Sequence, residues 1–362
     1  MTIPLIAQIF QDIDEAPHVD RLRVINRQSR GVFAPEGSLD GAHGLLAMSA
    51  QLNQIHDKII CRTIWLAEAE LKKQGHLPPC AYTFVLFGSG GRSERSALSD
   101  QDNGIIYEDL APERSQDTEQ YFKKLGEAIE ASLQAIGYPP CAGGVTCGQP
   151  AWRGPVAFWT NRLDKWSEAP IWEHARYMLI VADMRPVYGE GRLAAAVSDH
   201  FRTCLGGNSA LVDAMRENVR YRKPGTGFFG NLLKIRYGEH AGGVEIKYAL
   251  YIPLVNAVRL LTVVHGIEAI STIERIRQLE GAGILPRPFA SLVLQRFAET
   301  IGLRAMIAAD EWDRRLESSG IVKADRLTKR LQSQVKGCFS TAKKLHQFAQ
   351  AQVKQMKQDD FP

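Results

Sequence analysis

FVLFGSGGRSERSALSDQDNGIIY, residues Phe84 to Tyr107, is the stretch from which the fold can be read. The apolar run Thr83–Phe87 has the length and the β-branched and aromatic content of a buried strand. It stops at Gly88-Ser89-Gly90-Gly91, where the backbone loses side-chain bulk and its N–H groups can turn toward an anion. Arg92 to Leu98 has helix-forming composition, and a second apolar run ends the stretch at Gly104–Tyr107. With Asp100 to Tyr107 extended, Asp100 and Asp102 lie two residues apart and share a face. Paired carboxylates beside a glycine loop are what a magnesium-nucleotide site needs: oxygen ligands for the cation, and a cradle for the phosphates that it bridges.

Upstream, Leu45, Met48, Leu52, Ile55, Ile59, Ile60, Ile64 and Leu66 recur at helical spacing, with Ser38 or Asp40 placed to cap the start and Gly75 and Pro78-Pro79 to end it. His56-Asp57 on this helix lacks the further ligands of a metal phosphohydrolase and reads as a polar helix face. Downstream, Ser115–Gly137 reads as an amphipathic helix, Gly143–Cys147 as a short strand and Ala151–Phe158 as a loop. Lys165–Arg176 reads as helix, Tyr177–Met184 as its continuation or a strand, and Pro186–Gly189 as an exit turn. Beyond, Leu193–Leu205 and Leu211–Tyr221 read as helices, Leu232–Lys247 as a hairpin, and Tyr248–His265 as a helix. Ser271 and Glu274 form a capping box for the next helix, and two more follow, over Arg287–Arg315 and Lys323–Lys357. This predicts three segments: a helical region over 1–80, a strand-and-helix domain over 81–191 and a helical bundle over 192–362.

At 362 residues the chain can bury more than one core, and its net charge of +4 says little about partners. No run of about 18 apolar residues predicts a membrane span. The N-terminus carries no basic leader, so a cytoplasmic protein with no membrane partner is expected. The six cysteines show no C-x-x-C and read as reduced thiols. The basic residues of the last helix lack interleaved aromatics, so no nucleic-acid partner is expected.

Gly88-Ser89 followed after about ten residues by Asp100-x-Asp102 is similar to the signature of the nucleotidyltransferase superfamily that includes DNA polymerase β. The fuller string resembles the branch related to the N-terminal region of the protein-PII uridylyltransferase. The likeness extends to IHDKIICRTIWLAEAEL (Ile55–Leu71), CAGGVTCGQPAWRG from Cys141, VADMRPVYGE from Val181, and EIKYALYIPLVNAVRL with STIERIRQL from Glu245 and Ser271. The resemblance implies an α+β fold, a nucleotidyltransferase mixed sheet flanked by helices, with an N-terminal helical segment and a C-terminal helical bundle that binds substrate. It implies Asp100 and Asp102 as ligands of Mg²⁺ or Mn²⁺, and an NTP held by Gly88 and Ser89, with Arg92 on the triphosphate and Glu94 orienting it. Active members use a third carboxylate. The Cys141–Cys147 segment sits where it belongs but carries no acid, so Asp183, which matches another acidic position of the family, is the candidate third catalytic carboxylate. Glu245, Lys247 and Arg259 fall where the family's C-terminal region places polar residues. The expected activity is transfer of a nucleoside monophosphate from UTP or ATP to a hydroxyl, on a PII-like or other signalling protein; the alternative is a non-catalytic metal-nucleotide sensor.

Overall fold

The computed structural model describes residues 3–32, 41–220, 223–312, 315 and 317–356. Three helices lead in: α1 (Ile3–Asp14), α2 (Val19–Val32) and α3 (Ala42–Lys73). The sheet region follows as β1 (Tyr82–Leu86), the single turn α4 (Gly88–Gly91), β2 (Asn103–Tyr107), α5 (Pro112–Ile136), β3 (Arg153–Pro155), α6 (Val156–Glu168), α7 (Trp172–Val181) and β4 (Arg185–Gly189). Helices α8 (Gly191–Leu205) and α9 (Ser209–Asn218) come next. The remainder holds β5 (Val244–Glu245), a π-helical turn (Lys247–Tyr251), α10 (Ile252–Val264), α11 (Thr272–Gly281), α12 (Arg287–Glu311), β6 (Ile321–Val322) and α13 (Lys329–Gln355). The protein is thus α+β, with a small mixed sheet among helices.

The sheet order is β3-β2-β1-β4, with β1 antiparallel to both β2 and β4, and β3 parallel to β2. Every residue of β1 and β2 is buried, which is why both are mostly apolar, with Thr83 and Asn103 the polar members. Side chains alternate between two cores. Tyr82, Phe84, Leu86, Ile105 and Tyr107 face Ile55 and Ile59 of α3 and Phe122 and Leu125 of α5. Val85, Phe87 and Ile106 face Trp159 of α6, Met178 of α7 and Val197 of α8. A third core is the bundle, where Leu254, Val258 and Leu261 of α10 meet Phe297 of α12 and Val335 and Leu345 of α13.

Local signals were obeyed where backbone chemistry is decisive. Gly137 closes α5 at φ 113°, its N–H donating to Leu133 and Gln134. Ser271 accepts from the Glu274 N–H at 3.3 Å and caps α11. Ser38 and Asp40 lie outside the described residues, as do the expected helix ends Tyr221 and Lys357.

Elsewhere the fold departs from the sequence reading. Arg92–Leu98 is a non-helical loop, because the side chains of Arg92 and Glu94 are drawn into long-range bonds with Asp183, Tyr251 and Thr272. Gly143–Cys147 forms no strand; Asn103 ties it to the start of β2 through its own N–H to Val145 O (3.0 Å) and by accepting from Cys147 N (2.8 Å). The expected loop over Ala151–Phe158 contains β3, and the expected exit turn is β4. Pro186 is tolerated there because β4 is an edge strand. Strand β5 pairs with the distant β6, and the expected hairpin is reduced to a turn in which Ile235 N donates to Gly243 O (2.9 Å) and Ile235 O accepts from Gly242 N (2.8 Å). Helices α8 and α9 join the sheet's second core, so that core extends past the expected boundary at 191. Lys247–Val264 has the length and apolarity of a membrane span, and most of it is buried inside the bundle. His56 and Asp57 are structural: His56 bonds to the Tyr138 hydroxyl at 2.7 Å, and Asp57 takes both ends of the Arg185 guanidinium at 2.9 Å.

Gly91 marks the tightest approach. A Cβ there would lie 1.8 Å from the Asp183 carbonyl oxygen and 2.9 Å from that of Leu86. Gly91→Ala is therefore expected to destabilise the protein by about 2–4 kcal/mol. At the end of α11, where a Cβ on Gly281 would meet nothing within 4 Å, Gly281→Ala is expected to be neutral or stabilising by up to about 1 kcal/mol. Thermal denaturation followed by circular dichroism checks both.

Candidate active site

The turn after β1 begins with Gly88 at φ 52°, a left-handed conformation that favours glycine. A side chain would also be blocked, since a Cβ on Gly88 would sit 2.7 Å from Asp102 Oδ2. The first intrahelical bond of α4 runs from Gly91 N to Phe87 O (2.9 Å), so the amides of Gly88, Ser89 and Gly90 precede it. Asp102 is placed by its own carbonyl, which accepts from Phe87 N at 3.0 Å. Gln101 turns the other way: its side chain donates to Tyr138 O (2.9 Å) and Glu130 O (3.1 Å). Alternation thus sends Asp100 and Asp102 together into a cleft of about 240 Å³, also lined by Gly88 and Ser89.

Burial, and then the neighbouring charge of Asp100, push the Asp102 carboxyl up from 3.8 to about 6. The Cys141 thiol hydrogen-bonds to the Asp102 carboxylate, and burial followed by that carboxylate pushes the thiol up to about 12. The segment expected to bring a third acid therefore brings a thiol. Two crowded carboxylates that disfavour their own double charge, beside a loop where no side chain fits, suit a small divalent cation.

The opposite wall of the cleft comes from the bundle. The π-helical turn, in which Tyr251 N reaches back to Ile246 O (2.8 Å), sets Lys247 and Tyr251 at the rim. Asn256 and Arg259 continue that face along α10, and Arg304 of α12 joins them. Arg304 stacks on the Tyr251 ring, its guanidinium carbon 3.9 Å from the centroid, and donates to Glu94 O at 2.7 Å. One wall of the cleft is acidic and the facing wall is basic. Arg304 and Tyr251 had escaped the sequence reading. The four-residue spacing of Tyr251, Val255 and Arg259 could have pointed to one face; Arg304, about fifty residues on, has no local signal.

Four sequence-derived residues are placed differently from expectation. Arg92 lines the cleft, but each of its three side-chain nitrogens donates to a protein partner: Glu94 (2.9 Å), Asp183 and the Tyr251 hydroxyl (2.8 Å). Glu94 does orient Arg92, and it also accepts from Tyr251 (2.9 Å) and from Thr272 N (2.9 Å), which ties it to α11 and away from the phosphate loop. Asp183 is fully buried at the α7–β4 turn, outside the cleft lining, and accepts from Arg92, Arg259 (2.6 Å) and Arg275 (2.7 Å). Burial alone would raise its carboxyl; the guanidiniums of Arg259, Arg92 and Arg275 override that and hold it at about 2. A carboxylate so occupied is not the third acid of the metal pair. Glu245 also lies outside the cleft lining; one of its oxygens accepts from Tyr248 N at 2.8 Å.

A strand–glycine turn–strand unit that aims a D-x-D pair at a helical module is the construction of a nucleotidyltransferase with an attached substrate-binding part. Residues 40–173 match the family model described as "Putative nucleotidyltransferase DUF294". Residues 209–353 match its companion, "Putative nucleotidyltransferase substrate binding domain". The two matches span most of the chain, and the protein belongs to this nucleotidyltransferase family. Comparison with curated proteins gives no match.

Two measurements test the electrostatics. Asp183→Asn keeps the shape but leaves three buried arginines short of a charge, and should cost about 3–5 kcal/mol in urea unfolding. Asp102 has the opposite sign. Its folded-state affinity for a proton exceeds the ordinary value, so stability falls as pH rises from about 4 through about 6. Asp102→Asn should therefore stabilise the metal-free protein at pH 7, by on the order of 1–2 kcal/mol, with the gain vanishing near pH 4.

Proposed function

We propose that the protein is an Mg²⁺- or Mn²⁺-dependent nucleotidyltransferase that moves a nucleoside monophosphate from UTP or ATP to a hydroxyl, most naturally on a protein acceptor. The observation that carries this reading is the pairing of the two cleft walls. Asp100 and Asp102 would hold the cation, while Lys247 and Arg304 across the cleft would meet the triphosphate oxygens with charge-assisted hydrogen bonds, and Arg259, tied to Asp183, Leu179 O and Asn256, would add its charge behind them. The amides of Gly88 and Ser89 and the Ser89 hydroxyl would hold the phosphates nearest the acids. When bound, the cation neutralises phosphate charge and makes the attacking hydroxyl more acidic.

In the reaction the acceptor oxygen bonds to the α-phosphorus, the bond from that phosphorus to the bridging oxygen breaks, and pyrophosphate leaves. The basic wall would stabilise the charge gathering on the leaving group. A carboxylate oxygen of Asp100 or Asp102 left free by the cation would receive the hydroxyl proton. The named site residues thus divide into cation holders and phosphate holders, with Arg92, Glu94 and Asp183 as positioning residues behind them.

A second reading, a metal-nucleotide sensor that does not turn over, is favoured by one observation: the third acidic position holds Cys141. Incubation with each α-labelled triphosphate, Mg²⁺ and cell lysate separates the two. Label on a protein that disappears with Asp100→Ala or Asp102→Ala supports transfer and identifies the base. Tight nucleotide binding with no label in any fraction supports the sensor. If transfer is observed, Lys247→Ala should raise the KM for the triphosphate about tenfold with the melting temperature near that of the parent, and Arg304→Ala should raise it similarly while also lowering the melting temperature, since it loses the Tyr251 stack and the bond to Glu94 O.

A further inference from the structure

We propose that Asp164, His200 and Cys204 form a binding site for one zinc-class divalent cation, at the contact between α6 and α8 and sharing no residue with the cleft. His200 and Cys204 are one helical turn apart on α8 and so lie on the same face. Asp164 of α6 meets both: its Oδ1 is 2.7 Å from His200 Nε2 and 3.7 Å from Cys204 Sγ. All three donor atoms lie within 4.8 Å of one another, the one such mixed cluster among the described residues. With metal–ligand bonds of about 2.0–2.3 Å, the donors of a tetrahedral zinc site sit about 3–4 Å apart, so a small opening of the hydrogen bond between Asp164 and His200 admits the ion.

The donor set decides the class of cation. Imidazole and thiolate favour Zn²⁺ and its neighbours over Mg²⁺ and Ca²⁺, which take oxygen. Three protein ligands leave one position for water, and the side chains of His200 and Asp164 are 31 % and 46 % exposed, so the ion can enter. The Ser167 hydroxyl hydrogen-bonds to the Cys204 sulfur, while burial and the Asp164 carboxylate hold the thiol above its ordinary value, so a cation must displace its proton. Binding deprotonates the Cys204 thiol, forms the metal–sulfur bond and releases the proton to solvent. An exposed His–Asp pair by itself contributes little to stability and gives no reason for a thiol at the same oxygen. Both helices pack into the second core of the sheet, so the ion would staple α6 to α8 beneath β1.

The test uses the full chain stripped of metal and held in excess Mg²⁺, titrated with Zn²⁺ against a chromophoric chelator and, separately, with Co²⁺. One equivalent of Zn²⁺ is expected to bind, and His200→Ala, Cys204→Ser and Asp164→Ala should each weaken it at least about tenfold. Co²⁺ should give a sulfur-to-metal charge-transfer band that is lost in Cys204→Ser and kept in Cys141→Ser, and Zn²⁺ should raise the melting temperature of the parent but not of Cys204→Ser. Smaller losses in all three variants, or a band that follows Cys141, would overturn the proposal. If Cys204→Ser folds poorly, weakened Zn²⁺ binding in His200→Ala and Asp164→Ala with the band kept in Cys141→Ser still decides the matter.

Discussion

The structure turns on the burial of one carboxylate among three guanidiniums. Asp183 leaves the α7–β4 turn fully inside the protein and is gripped by Arg92 from the loop after α4, Arg259 from α10 and Arg275 from α11. Desolvating those charges is costly, and a buried ion cluster is weak evidence for net stability. Its consequence is geometric. Arg275 spends its remaining donors on Ala269 O and Ala182 O, at 2.8 and 2.7 Å, and Glu94 caps the first amide of α11. Any rotation of the bundle against the sheet would strand several of these groups without partners. The cluster therefore selects one docking angle from the many that apolar packing alone would permit.

That angle creates the cleft. The motif by itself offers an acidic rim with a bare glycine turn, and the bundle by itself offers a basic face along α10 and α12. Only when docked do Asp100 and Asp102 face Lys247, Arg259 and Arg304 across one cleft. The two arginines shared between cluster and cleft, Arg92 and Arg259, make the coupling direct: the groups that fix the docking also shape the wall. Asp102 carries the corresponding cost, a carboxyl raised to about 6 by burial and by Asp100. Unfavourable charge stored at a site is the ordinary mark of function.

The strands were legible because a strand buried on both faces must be mostly apolar, and Phe84–Phe87 and Gly104–Tyr107 are. The D-x-D pair was legible because alternation along extended chain is a local rule. Gly137 and Ser271 were legible because a left-handed residue and a side-chain acceptor are local requirements of helix ends. The loop after α4 was misread for the opposite reason. Arg92 and Glu94 have acceptable helix propensity, but long-range partners outcompete a weak local preference. Strands β3 and β4 were missed because a three-residue strand and a proline-bearing edge strand have no pattern of their own; their partners β2 and β1 define them.

The sequence by itself determined the apolar strands, the glycine bend, the same-face carboxylates and the helix caps, since each depends on neighbours a few residues away. The tertiary structure alone decided that Asp183 serves three arginines and not a metal, that a cysteine stands beside Asp102, and that Arg304 completes the basic wall. Those outcomes depend on which charges meet across the chain, and charge pairing over some ninety to two hundred residues of separation leaves no periodic trace.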